Sequence, residues 1–197
     1  MDIWEINRNG EIKWSERSEE HRLYAVDSEN NRSMDYIVVK NSDILSNLEG
    51  NGIQYYTSAG NIDDFFKILL FAADNSDVEW ALHRGKDNSY TIGTSHNDHG
   101  VDAYSVLGGT DEIPMASIHS HPNVVTYKKE RETMGYDDGW IQYGNDRQKV
   151  YWGVVPMYNY VYFPKSKTLY NVEYHNPRYI KRITIYTEFY FGTLNYK

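Results

Sequence analysis

Cysteine is absent from the chain. Its absence excludes a disulfide framework, a thiolate zinc site and a Cys nucleophile, and leaves histidine and carboxylate as the only strong metal ligands. Positive charge is also short: 20 Lys+Arg stand against 28 Asp+Glu, a formal net charge of −8. No electrostatic footprint therefore draws the chain to nucleic acid or to anionic lipid, and neither is expected as a partner. No run approaches the ~18 to 20 apolar residues of a membrane span. The opening MDIWEINRNGEIKW has no basic segment followed by an apolar one, so no signal peptide is expected in this chain. If the chain ends a larger secreted protein, the export signals lie upstream.

What is present suffices for a core. The 197 residues, 40% of them hydrophobic, can form one well-buried domain with a small appendage. The stretch IWEINRNGEIKW (3 to 14) holds two short alternating runs around Asn9-Gly10, a strong hairpin signal, and residues 22 to 39 repeat the plan with a longer polar loop. Two β-hairpins are expected, followed by a polar connection through KNSDILSNLEGNG that serves as a subdomain boundary. The division is 1–50 for the hairpin appendage and 51–197 for the main domain.

From Asn61 the period changes. Ile62, Phe65, Phe66, Leu69, Leu70 and Ala73 form one stripe of an amphipathic helix, with Asn61 placed to cap it and Asp63 and Asp64 in its first turn. VEWALHRG (78 to 85), SYTIGTSH, DAYSVLGG and MASIHSHP read as strands. A long polar insertion then ends at Asp146, before YWGVVPMYNYVYFP and KTLYNVEYHN, which read as a hairpin, and a last apolar run, RYIKRITIYTEFYFG. Hairpins, a helix and then mostly strands indicate an α+β fold.

The chemistry concentrates in IHSHP. Successive strand residues alternate faces, so His119 and His121 point the same way and can chelate one ion without distorting the backbone. Spacing alone reads equally as two strand-end histidines satisfied by solvent and neighbours. A catalytic zinc needs a third protein ligand and keeps the fourth position for water. Glu130, Glu132, Asp137, Asp138 and Asp146 are the downstream candidates, and Asp146 is favoured because it closes the loop just before the next apolar segment. Glu79 stands at the start of the otherwise apolar VEWAL. It is either an edge-strand glutamate facing water or a carboxylate tuned for proton transfer. His21, His83 and His175 are expected to be structural or on the surface; a second reading of His83, from its even spacing to Glu79, puts it on the same face.

A helix, a strand-borne Glu, HSHP and an Asp ahead of an aromatic hairpin together resemble the JAB/MPN (JAMM) zinc metallopeptidases. The resemblance implies a cytidine-deaminase-like core of mixed β-sheet with flanking helices, preceded here by the N-terminal hairpins. It implies one catalytic Zn2+ held by His119, His121 and Asp146, with Glu79 as general acid/base, and hydrolysis of an amide or isopeptide bond. The substrate it implies is a protein or peptide, including one that bears a ubiquitin-like tail. Two departures stand out: the loop from Pro122 to Asp146 is long, and Tyr143 occupies the place of the family's Ser. Tyr143, Ser120 or a backbone N–H would then serve as the oxyanion donor.

Over nearly its whole length the chain also resembles the JAB-like toxin domains of Rhs-type and other polymorphic toxins in Bacteroidetes. That implies a secreted effector neutralised in kin by a cognate immunity protein. Two alternatives remain: a catalytically inactive JAMM-fold binding module, prompted by Tyr143, and a metal-dependent nuclease built around His96, Asp98 and His99 of SHNDHG.

Overall fold

The computed structural model describes residues 1–50, 54–59, 62–98, 114–126, 129, 158–172 and 180–183. Two sheets organise them. In the first, β1 (Asp2–Ile6) and β2 (Ile12–Arg17) form the expected hairpin, as do β3 (Arg22–Val26) and β4 (Arg32–Val38). The hairpins join through parallel pairing of β1 with β3, giving the order β2-β1-β3-β4. At the first turn Gly10 sits at φ +76°, Gly10 N–H donates to Asn7 O at 2.9 Å, and Asn7 Oδ1 accepts from the N–H groups of Asn9 and Glu11. A left-handed φ with a side-chain turn of this kind is what Asn and Gly supply.

The connection after β4 departs from expectation. Instead of a polar linker alone it contains a short helix, α1 (Ser42–Asn47). Asn41 caps it by accepting from Asp43 N–H, and Ile44, Leu45 and Leu48 are buried. Three apolar residues on one side outweigh a polar average once a core lies beneath them.

The second sheet has the order β11-β10-β9-β8-β6-β7-β5 among the described residues. Its strands are β5 (Gln54–Ser58), β6 (Trp80–Arg84), β7 (Tyr90–Thr94), β8 (Ala116–Ser120), β9 (Tyr158–Phe163), β10 (Thr168–Val172) and β11 (Ile180–Ile183). All pairs are antiparallel except β8 with β9, so the sheet is mixed and the fold is α+β. The strands read from VEWALHRG, SYTIGTSH, MASIHSHP and the late hairpin fall on β6, β7, β8 and β9–β10; DAYSVLGG and Asn61 lie outside the described residues.

Between β5 and β6 runs α2 (Ile62–Asn75). Its buried set is wider than the predicted stripe: Ile68, Phe71 and Ala72 are covered together with Phe65, Phe66, Leu69 and Ala73. The reason is its position, since α2 packs on β6 and β7 of one sheet and on β4 of the other. One continuous cluster joins Trp4, Ile6 and Leu23 of the first sheet, the helix, and Trp80, Leu82, Ile92, Ile118, Tyr160 and Tyr162 of the second. The boundary at residue 50 falls between the sheets, yet both contribute to this one core.

Strand alternation divides the second sheet into two faces. Trp80, Leu82, Ile118, Tyr160, Tyr162 and Leu169 belong to the core, and Tyr162 Oη donates to Asp74 Oδ1 of α2 at 2.9 Å. Ala81, His83, Ser117, His119, Val161, Phe163 and Tyr170 alternate with them and form the opposite face.

Candidate active site

The site begins where β6 and β8 lie side by side. Their antiparallel register sets Ala81 against His119 and His83 against Ser117. Glu79 immediately precedes β6 and shares the face of Ala81 and His83. The end of β8 is held on its other side by β9, where His121 N–H donates to Tyr162 O at 2.9 Å, beyond the last residue of the strand. Pro122, itself buried, closes the segment.

These constraints bring three of the expected residues together. The rings of His119 and His121 have centroids 5.1 Å apart, edge to face at 71°, so both imidazoles project from one face as a strand HxH requires. Glu79 is 3% exposed, and its Oε1 lies 3.0 Å from His121 Nδ1. The Nδ1–H of His121 donates to that carboxylate, which directs the lone pair of Nε2 elsewhere and sets the ring's orientation. His121 also stacks on Phe163, with centroids 5.5 Å apart at 18°. Phe163 belongs to a small apolar cluster with Val161 and Tyr170, against which Val124 packs.

The Glu79 backbone is held at both ends. Its N–H donates to Asn97 O at 2.8 Å and its carbonyl accepts from Thr94 Oγ1 at 2.7 Å. Neither partner stands out in the sequence, because a loop asparagine and a strand-end threonine carry no mark of what they hold.

His83 lies deeper on the same face, 5% exposed, with neither ring nitrogen hydrogen-bonded among the described residues. Burial pushes it down to about 4, helped by neighbouring His119, so the ring is neutral near pH 7. A buried imidazole with two unpartnered nitrogens beside His119 is unusual, since such groups are ordinarily satisfied. The even spacing from Glu79 was the sequence signal for this placement.

Ser120 corrects an expectation. As an oxyanion donor it would have to face the histidines, but it is fully buried, and its Oγ accepts from the backbone N–H of Trp80 at 3.0 Å. Lying between His119 and His121, it is turned by the same alternation that unites them.

The SHND segment separates rather than gathers its ligand-like residues. His96 donates through Nδ1 to Asn9 O at 2.6 Å, whereas Asp98 Oδ2 accepts from Asn123 Nδ2 at 3.1 Å. One side chain is turned to the N-terminal hairpin and the other to the loop after Pro122; His99 lies outside the described residues. His21 is structural: its Nδ1 accepts from Asp2 N–H at 3.2 Å and its ring packs near Trp4.

Asp146, its alternatives Glu130, Glu132, Asp137 and Asp138, the oxyanion candidate Tyr143, and His175 lie outside the described residues. Among the described residues no group of three or more His, Asp or Glu side chains closes into a metal-binding cluster. The donors that are described suit zinc in kind. Two imidazoles project from one face, and a buried carboxylate holds the ring of one of them, as second-shell carboxylates do for metal-bound histidines.

The family described as JAB-like toxin 1 matches residues 57–151. That span starts in β5 and takes in Glu79, His119, His121, Tyr143 and Asp146. Over that span the chain is similar to JAB-like toxin domains, and its mixed α+β architecture is consistent with a JAB-like fold. Against curated proteins and against solved structures, the chain has no significant match.

Proposed function

We propose, with residues 57–151 taken as a JAB-like toxin domain, that the chain is a zinc-dependent toxin effector hydrolysing an amide or isopeptide bond of a protein or peptide. The observation that carries this reading is the buried Glu79 carboxylate 3.0 Å from His121, beside a second imidazole on the same sheet face. His119, His121 and Asp146 would hold the metal. When bound, zinc would supply Lewis acidity toward a carbonyl and toward water.

Glu79 has the position of the proton carrier. One of its oxygens accepts from His121, and a carboxylate has acceptor capacity to spare on the other. It would take the proton of the attacking water and return it to the departing amine, and the burial of its carboxylate favours such a shuttle. The buried cluster of Phe163, Val161 and Tyr170, on which the His121 ring stacks through Phe163, excludes water on that side of the ring. An immunity protein covering the site in kin cells, and release from a larger secreted toxin, follow from the same reading.

The test combines metal analysis with two variants. Purified chain is expected to bind about one zinc, which His119→Ala abolishes, whereas Glu79→Gln keeps the metal and lowers toxicity and hydrolysis by about 10²- to 10⁴-fold. A chain that binds no zinc would overturn the proposal.

A second reading rests on Ser120, whose hydroxyl is turned into the core, in a chain with Tyr143 in the place of the family's Ser. It is a JAMM-fold binding module without catalysis. Zinc binding kept together with undiminished toxicity in Glu79→Gln would select it.

A further inference from the structure

The first hairpin turn reaches the segment that carries Glu79. Asp77 N–H donates to Arg8 O at 2.7 Å, and the Arg8 guanidinium meets both Asp77 carboxylate oxygens at 3.3 Å. Asn9 O accepts from His96 Nδ1 at 2.6 Å. Gly10 lies so close that a Cβ built on it would stand 2.6 Å from Val78 Cγ2, 3.4 Å from His96 Nδ1 and 3.5 Å from Trp80 Nε1. Residues 8, 9 and 10 thus approach 77, 78, 80 and 96, which include both neighbours of Glu79 and the residue before Asn97, whose carbonyl holds the Glu79 N–H.

We infer that the Arg8–Gly10 turn positions Glu79 against His121, so that the N-terminal hairpin is part of the catalytic unit. The inference rests on the functional reading above in treating Glu79 as the proton carrier. Its physical basis is the stiffness of the contact. Glu79 precedes β6 and lacks a ladder of its own, so its backbone direction depends on Asn97 O, Thr94 Oγ1 and the packing of Val78 and Trp80. All four of these supports lie within two residues of a contact with the turn. Two features single out glycine at position 10: its φ of +76° and the absence of room for a methyl group. Val78 is β-branched and 7% exposed, with little freedom to retreat. A side chain at position 10 would push Val78, and with it Glu79, while leaving His119 and His121 on β8 in place.

The experiment uses the full chain and records the imidazole nitrogens by long-range 1H–15N spectroscopy, without metal and with Zn2+ alone. The His121 Nδ1–H signal held by the carboxylate is identified by its shift in Glu79→Gln, whose amide oxygen accepts without the charge. In Gly10→Ala, checked as folded by circular dichroism, the same signal is expected to be lost and zinc affinity to fall about tenfold or more. Gly10→Ala with Val78→Ala, which removes the obstructing methyl, is expected to restore both. A folded Gly10→Ala chain with the wild-type His121 signal, or a folded double variant that fails to recover it, would overturn the inference. If Gly10→Ala does not fold, His96→Gly decides. It keeps the positive φ at position 96, removes the contact to Asn9, and must weaken the same signal for the inference to stand. Because the metal-free spectrum is scored separately, a chain that binds no zinc counts against the functional reading alone.

Discussion

The two faces of the seven-stranded sheet are made by the same strands and differ in every property that matters. On the face toward α2, Trp80, Leu82, Ile118 and Tyr160 are buried in a continuous apolar cluster. On the other, Glu79, His83, Ser117, His119 and His121 stand one residue away from them along the chain, and the first three are as buried as core residues. The first face stabilises by exclusion of water from apolar area. The second places charge and imidazole where burial sharpens their electrostatics, and so tends to cost stability while creating a site. The face that specifies the fold and the face that carries the proposed chemistry are inseparable in sequence because the side-chain period is two.

The largest break in this comparison is Trp80→Ala, which empties the biggest side chain of the core face and is expected to cost about 3–5 kcal/mol in urea unfolding. Glu79→Gln, its neighbour in sequence, should change stability by less than ~1 kcal/mol, since an amide oxygen can still accept from His121. An equal loss from both would erase the distinction between the faces.

The next effect is a pH dependence from His83. Its folded value of about 4 lies below that of an unfolded histidine, ~6.5, so the unfolded chain takes up the proton first. Stability is therefore whole above pH ~6.5, falls as pH drops toward 4, and loses about 3 kcal/mol over that window. Glu79, His119 and His121 share this face, so the comparison is with His83→Gln, in which that part of the slope should vanish. An unchanged slope would place the dependence elsewhere.

The smallest is Ser120→Ala. Although flanked by the two histidines, Ser120 belongs to the other face, and its loss leaves the Trp80 N–H without its partner, an expected cost of about 1–3 kcal/mol. Zinc binding should be unaffected. A loss of metal without a loss of stability would show that the residue serves the site after all.

Much of this architecture was legible because it obeys short periods. Asn9-Gly10 announced its hairpin, the 3.6-residue stripe announced α2, and alternation put His119 with His121 on one strand and offered His83 beside Glu79 on another. Three features were not legible. The α1 helix was hidden by a polar average and emerges only because Ile44, Leu45 and Leu48 find a core. Alternation already turned Ser120 away from the histidines, but its partner there, the Trp80 N–H on an adjacent strand, was not legible. The partners of His96 and Asp98, which set apart residues that are close in sequence, lie 87 and 25 positions away.

By itself, the amino-acid order determined the local elements, the shared face of the two histidines, and the absence of any thiolate chemistry, because these follow from residue type and from periods of two and 3.6 residues. Only the tertiary structure decided that Glu79 meets His121 across two strands, that His83 is buried beside them, and that the first turn leaves no room for a Cβ at Gly10 beside the valine before Glu79. Those contacts depend on register and on the packing of two sheets around one helix, which bring together residues up to about seventy positions apart.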